Sequence, residues 1–157
     1  MVTFNMSSSR AVILPVLKGT PRLSSSSTQA SPVDVADMHN IPYRQLVGSI
    51  MYAALTVRPD VAFMAYQLAR HFHNPTMIHW KAAKRVLQYL GSTRYHGLSF
   101  GGKGHDNNIV VAYSDADYAG DPDSRRSTTG YIFILNGGAI SWCSRRQPIV
   151  ATSTMQS

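Results

Sequence analysis

Hydrophobic residues recur at helical spacing in three segments between residues 43 and 90. Pro59 in "TVRPD" cannot continue the first segment but suits the first turn of the second. Thr76 and Gly91 stand where the third would be capped. The pattern predicts three consecutive helices, the first two packed as a hairpin. Their predicted buried positions are Leu46, Val47, Ile50, Met51, Ala54 and Leu55, then Val61, Met64, Ala65, Leu68 and Phe72, then Trp80, Ala83, Leu87 and Leu90.

After Gly91 the pattern changes to short runs of β-branched and aromatic residues. These runs are "GLSF", "NIVVAYSD", "TTGYIFIL", "AISWCS" and "PIVATST", with "NGG" suited to a tight hairpin between the third and fourth. They predict three to five strands in an antiparallel meander, and therefore an α+β fold. No element follows the last predicted strand, so one sheet face is expected to stay uncovered unless the helices reach it.

Composition narrows the class of protein. The chain has 157 residues, 44% of them hydrophobic, which suits one globular domain. Residues 1–40 are rich in serine and proline, and we expect an irregular or loosely attached arm there. Lysine and arginine total 15 against 8 acids, giving a net charge of +7. Nucleic acid is therefore a candidate partner, although a basic surface on a piece of a larger protein explains the charge equally well.

The number of cysteines and the lengths of the apolar runs indicate the cellular compartment of the protein. Cys143 is the single cysteine, so an internal disulfide is excluded and a core position is expected for it. No apolar run is long enough for a membrane span, and "AVILPVL" at residues 11–17 is too short and lacks a cleavage site. The expectation is an intracellular protein of the cytoplasm or nucleus with no membrane partner.

The candidate chemistry lies in four closely spaced aspartates. Asp115 and Asp117 end an apolar run that reads as a buried strand, where residues two apart share a face, so together they could hold Mg²⁺. Asp121 and Asp123 are interpreted instead as ordinary turn residues whose carboxylates bond nearby backbone N–H groups.

Other site types fail on their spacing. An EF-hand loop starting at Asp115 would need an oxygen ligand at Ala119 and a glutamate at Arg126. No nucleophile elbow or phosphate-binding loop occurs, and the histidines, including His71, His73 and His79, have no cysteine or acidic partner at metal-ligand spacing. These histidines are interpreted as surface or packing residues.

From Tyr43 onward the sequence resembles the Pol polyprotein of copia-type retrotransposons, at the junction of reverse transcriptase and ribonuclease H. The resemblance rests on "YRQLVGSIMYAALTVRPDVAF", "NPTMIHWKAAKRVLQYLGST", "YSDADYAGDPDSRRSTTGYIF" and "GGAISWCSRRQPIVATST", in that order. It implies an arm at 1–40, a helical tether at 41–96 and the first part of a ribonuclease H-like antiparallel meander at 97–157.

The resemblance also implies a chemistry. Asp115 corresponds to the family's first catalytic metal ligand, and Asp117 is a candidate auxiliary ligand. The family cleaves the RNA strand of RNA–DNA hybrids with Mg²⁺ held by several acids, among them a glutamate in a motif like "STTEAEY". Here "ATSTMQS" stands in its place, and all eight acids are aspartates. We therefore expect a truncated domain with an incomplete catalytic site and weak or absent Mg²⁺ binding.

Two functions stay open on the sequence alone, beside the possibility that the 157 residues are part of a longer reading frame and that activity returns in the whole protein. The first is a retrotransposon-derived ribonuclease H-like segment that is inactive alone and binds nucleic acid weakly. The weak candidates for that binding are Arg125, Arg126, Arg145 and Arg146. The second is a host-retained interaction module whose incomplete sheet binds a protein partner.

Overall fold

A computed structural model describes residues 4, 6, 10–16, 23–24, 38–101 and 109–155. The predicted helices are present. They are α1 (Tyr43–Thr56), α2 (Ala62–Ala69), entered through a 3-10 turn at Pro59–Val61, and α3 (Met77–Ser92). Pro59 opens the 3-10 turn, as its missing N–H predicts.

The hydrophobic core lies between these helices. Leu46, Val47, Ile50 and Ala54 on α1 meet Ala65 and Leu68 on α2. From α3, Ala83 and Val86 are fully buried, while the predicted Trp80, Leu87 and Leu90 are only partly buried. Leu55, predicted to be buried, is 53% exposed. The helical spacing thus predicted most of the buried positions of α1 and α2, although Met51 and Phe72 are only partly buried, whereas the buried stripe on α3 is rotated towards Val86.

The two ends of α3 differ in how well they follow prediction. Thr76 is the N-cap, in a capping box with His79. Gly91 was expected to cap the C-terminus, and that was wrong, because α3 runs to Ser92 and Thr93 is the C-cap. Arg58 explains the extension. Its guanidinium donates to the Thr93 carbonyl at 3.0 Å and to the Thr93 hydroxyl at 2.7 Å, which satisfies groups at the helix end.

The sheet of the described residues is an antiparallel meander in the order β1 (Val110–Ala116), β2 (Thr128–Leu135) and β3 (Gly138–Arg146). The β2–β3 hairpin turns at residues 136–137, where Asn136 and Gly137 both have positive φ. A register irregularity interrupts the hairpin between Phe133 and Ile134. The α+β class is confirmed.

Two of the five predicted strands are wrong. "GLSF" at 97–100 runs beside the hairpin, and the Gly101 N–H donates to the Asn136 carbonyl at 2.9 Å, but no ladder forms. "PIVATST" at 148–154 has no strand assignment either. β-branched composition indicates a residue that suits a strand, yet a strand also needs a neighbour with which to pair.

The sheet joins the helices through β3. Trp142 on β3 donates its indole N–H to the Ala54 carbonyl at the end of α1 at 2.7 Å. β1 is the opposite edge, and its residues are exposed up to Asp115. The expectation of a buried strand here was wrong, because β1 packs mainly against β2 and its side chains are not covered. Within the described residues, one edge of the sheet is therefore covered by helices and the other is open.

Parts of the predicted arm contact the core. Met38 belongs to the core, and Phe4, Val16 and Leu23 pack against it. The described residues at 10–16 and 23–24 are irregular, as expected, and the remainder of the predicted serine-rich arm lies outside the described residues. Among the helices that the structure describes, none is long and apolar enough to cross a membrane.

Candidate functional site

Asp115 stands near the end of β1 on the open edge of the sheet. In the register, Asp115 pairs with Gly130, which pairs with Ser144, and Tyr113 pairs with Ile132, which pairs with Trp142. Residues paired directly across strands share a face, and residues two apart share it too. Asp115 therefore lies on the face that Trp142 turns towards α1, but two strands, or about 10 Å, from β3.

The surroundings of Asp115 leave its carboxylate open. Asp115 is exposed, and one of its carboxylate oxygens accepts the N–H of Ala116 at 2.9 Å. Its neighbour in the register, Gly130, has no side chain, and a Cβ placed there would meet nothing closer than 3.8 Å. The sheet surface next to Asp115 therefore carries no side chain at Gly130 of β2.

Asp117 is held differently. It follows the end of β1, where its N–H donates to the Thr128 carbonyl at 3.1 Å and its carboxylate accepts the Thr128 N–H. The first bond continues the backbone pairing of β1 with β2 past Ala116, and the second ties the Asp117 side chain to it. One oxygen of Asp117 is thus used by the backbone, and the role of Asp117 is at least partly structural.

The described residues do not complete a magnesium site. They contain no group of three or more histidine, cysteine or acidic side chains placed to share a metal ion. Mg²⁺ demands near-octahedral oxygen ligands and dehydrates reluctantly, so it is poorly held by one exposed carboxylate. Asp115 fits the role of one ligand, and the donor set as a whole does not fit the ion.

Asp121 proves to be the centre of a buried charge network that the sequence did not predict. Its side chain is 1% exposed and pairs with Arg70, which follows α2, and with Arg146 at the end of β3 at 2.7 Å. Ser124 donates its hydroxyl to the same carboxylate, and the N–H of Asp123 donates to it at 3.2 Å. The turn interpretation of Asp121 is confirmed by the last bond, but the same carboxylate also ties the loop to α2 and to β3.

The ionisation of Asp121 follows from these partners. Burial alone would raise the pKa of the carboxyl, but the hydrogen bonds from Ser124, Arg146 and Arg70 outweigh burial. They hold the pKa of Asp121 far below its usual range, so the group is charged at neutral pH. Asp123 lies 3.8 Å from Arg70 and accepts the hydroxyl of Ser24, at the rim of the same network.

The four candidate arginines differ in their exposure and in their partners. Arg146 is bound to Asp121, so it serves the network. Arg145 is exposed and precedes it on β3, where adjacent side chains project to opposite faces. Arg125 is exposed with φ of 55°, and Arg126 is half-buried in the loop. Sequence proximity thus gave four candidates, of which the exposed Arg125 and Arg145 are the ones best placed to meet a ligand.

Comparison with known proteins finds similarity to Pol polyproteins of plant retrotransposons. The chain is 42% identical over 153 residues to the retrovirus-related Pol polyprotein from transposon TNT 1-94 of Nicotiana tabacum, covering 98% of the chain and 11% of that protein. It is 46% identical over 114 residues to the Pol polyprotein from transposon RE2 of Arabidopsis thaliana, covering 73% of the chain and 8% of that protein. The chain thus spans about a tenth of the length of these polyproteins.

A third relative has a comparable length. The secreted RxLR effector protein 161 of Plasmopara viticola is 49% identical over 119 residues, which cover 76% of the chain and 82% of that protein. No family model and no solved structure matches the chain.

Proposed function

We propose that the chain, which is similar over most of its length to Pol polyproteins of retrotransposons, is a ribonuclease H-like segment that supplies one metal-ligand carboxylate, Asp115. The observation that carries the proposal is the exposed carboxylate of Asp115 on the open edge of the sheet, beside Gly130, which has no side chain. An exposed carboxylate suits the chemistry of that family, in which carboxylates hold Mg²⁺ for cleavage of the RNA strand of an RNA–DNA hybrid.

We further propose that this chain alone does not cleave the hybrid. A two-metal site needs several carboxylates close together, and the described residues bring no three acids or other metal ligands together. Asp117 does not make good the difference, because its carboxylate is bonded to the Thr128 backbone. Asp121 is equally unsuited, since two arginines already neutralise it.

Nucleic acid is the proposed partner, with weak affinity. The net charge of +7 favours a polyanion, and Arg125 and Arg145 offer exposed cations. Since these contacts would be to phosphate, binding should weaken steeply as salt rises.

The proposal is tested with the purified chain and a fluorescently labelled RNA–DNA hybrid. Anisotropy should report binding at low salt that is lost as salt increases, and that is weakened by the double variant Arg125→Gln, Arg145→Gln. A gel assay with Mg²⁺ or Mn²⁺ should show no cleavage. Cleavage by the chain that disappears in Asp115→Asn would refute the claim of inactivity, and salt-independent binding would refute the phosphate contacts.

A protein partner is the competing candidate, and the open edge of β1 favours it. Hydrogen-bonded pairs alternate along an antiparallel ladder, and the pair Asp117–Thr128 is bonded. Val110, Ala112 and Ser114 therefore direct their backbone groups away from β2, as a pairing strand requires. Light scattering discriminates the candidates. Self-association that Ala112→Pro abolishes would favour edge pairing, whereas a monomer over the working concentration range removes the support for it.

A further inference from the structure

Two buried histidines stack on each other where α2 ends and α3 begins. His71 is 4% exposed and His79 is 1% exposed. Their ring centroids lie 3.8 Å apart, with 27° between the ring planes. The Nδ1 atom of His79 accepts the N–H of Thr76 at 3.0 Å, which closes the capping box of α3. Because Nδ1 is an acceptor here, the neutral ring carries its proton on Nε2.

Neither ring has the partners that a charged imidazolium needs. The Nε2 atoms of both histidines are buried, and within the described residues neither has a hydrogen-bond partner. A protonated ring donates from both nitrogens, so protonation of His79 would also end its role as acceptor for Thr76. The stack therefore fits two neutral rings and does not fit two charged ones.

The charges around the stack act in both directions. Burial lowers the pKa of His71, and the neighbouring Arg70 lowers it further, while Asp123 and Asp121 on the β1–β2 loop oppose them. Burial lowers the pKa of His79 to about 4, with His71 adding to the effect and Asp123 opposing it. From α1, Arg44 donates to the Phe72 carbonyl at 2.9 Å. It adds another cation near the α2–α3 corner, which is the connection between the two helices at residues 70–76.

We propose that the His71–His79 stack is a proton-operated latch, which keeps the α2–α3 corner closed at neutral pH and opens it in acid. Proton uptake would place like charges on rings 3.8 Å apart, beside the Arg70 that anchors Asp121. Opening the corner therefore loosens the link between α2 and the sheet. The latch is independent of the Pol-like function proposed above, since it involves neither Asp115 nor nucleic acid.

The pH window follows from the direction of the shifts. A histidine whose pKa is lower in the closed form binds its proton more readily once the corner opens. Opening is therefore favoured as pH falls from the ordinary value of 6.5 towards about 4, and it is insensitive to pH above that range. One proton raises the ratio of open to closed forms by up to about tenfold per pH unit, and two protons by up to about a hundredfold.

Amide hydrogen exchange of residues 70–80 in the full chain, from pH 7.5 to 4, measures this ratio after correction for the intrinsic pH dependence of exchange. The double variant His71→Phe, His79→Gln should lose the acid-driven opening. Phenylalanine preserves an aromatic stack, and glutamine at this position of a capping box still accepts from the N-cap N–H. His73→Gln, at an exposed histidine nearby, is the matched control and should keep the wild-type slope.

Specific results from these experiments would overturn the proposed latch. Acid-driven opening with the same slope in the double variant as in the wild type would remove the histidines from the mechanism. So would NMR titrations in which both rings protonate near pH 6.5 while the corner stays protected. If the double variant does not fold, His71→Phe alone decides the matter. It should reduce the pH dependence of the open-to-closed ratio from that of two protons towards that of one. An unchanged pH dependence contradicts the proposal.

Discussion

Replacement of Asp121 by asparagine should cost more stability than the same replacement at Asp123 in the same loop. The substitution keeps the shape of the side chain and removes the charge that pairs with Arg70 and Arg146. The Asp121 side chain is 1% exposed, whereas those of Arg70 and Arg146 are 15% and 36% exposed. Removing one member of a buried ion pair costs about 3–5 kcal/mol, because the remaining charge stays buried without its partner.

Solvent access sets the expected value within that range. Arg146 is more than a third exposed, so water can replace part of its lost interaction, and we expect the lower end, about 3 kcal/mol. For a chain of this size that free energy corresponds to a fall in Tm of about 6–12 °C. Urea unfolding followed by circular dichroism should show a lower midpoint with an unchanged slope.

Asp123→Asn is the matched control. Its side chain is 22% exposed and lies 3.8 Å from Arg70, so we expect a loss below about 1 kcal/mol. The pH dependence provides a second check. Since the pKa of Asp121 is lowered in the folded state, its contribution is complete above the unfolded value of 3.8 and is lost as pH falls further. A loss in Asp121→Asn no larger than in Asp123→Asn at pH 7 would refute the network as the link between loop, helix and sheet.

Three further substitutions test local features of the fold by the same urea unfolding. Gly138→Ala should destabilise by about 1–3 kcal/mol, because its Cβ would lie 2.4 Å from the Phe100 ring and 2.6 Å from the Ser99 carbonyl oxygen. Gly48→Ala, inside α1 with nothing within 4 Å, should instead stabilise by about 0.5–1 kcal/mol, and equal effects at the two glycines would contradict the close approach. Thr76→Ala should cost about 0.5–2 kcal/mol through the lost capping box of α3, and a neutral result would contradict that cap.

The sequence predicted those features that depend on local chemistry. Helical spacing and Pro59 located α1, α2 and the turn between them, and Thr76 located the start of α3. Asn136 and Gly137 located the hairpin, because both tolerate positive φ. In each case a residue or a spacing of a few positions determines the backbone.

The features that sequence reasoning missed depend on partners distant along the chain. The Gly91 prediction failed because Arg58, 35 residues before Thr93, supplies the donors that prolong α3. Asp121 looked like a turn residue, and its partners Arg70 and Arg146 lie 51 and 25 residues away. The single available hint at the histidine stack was His79 in the position where a capping box usually has glutamate or glutamine.

For the candidate site, sequence reasoning selected Asp115 but described its setting incorrectly. An apolar run predicted a buried strand, yet β1 packs mainly against β2, and Asp115 is exposed. Composition records that residues are apolar and does not record which element is available to cover them. The openness of the β1 edge is therefore a finding of the structure.

A segment exchange tests most directly whether Asp115 is a functional metal-ligand carboxylate. Residues 109–155 of this chain would replace the matching segment of the TNT 1-94 Pol polyprotein, to which the chain is 42% identical, and cleavage of an RNA–DNA hybrid would be measured with Mg²⁺. The chimera should cleave, Asp115→Asn should abolish cleavage, and Asp117→Asn should retain part of it. A folded chimera that cleaves equally well with Asp115→Asn would contradict the account.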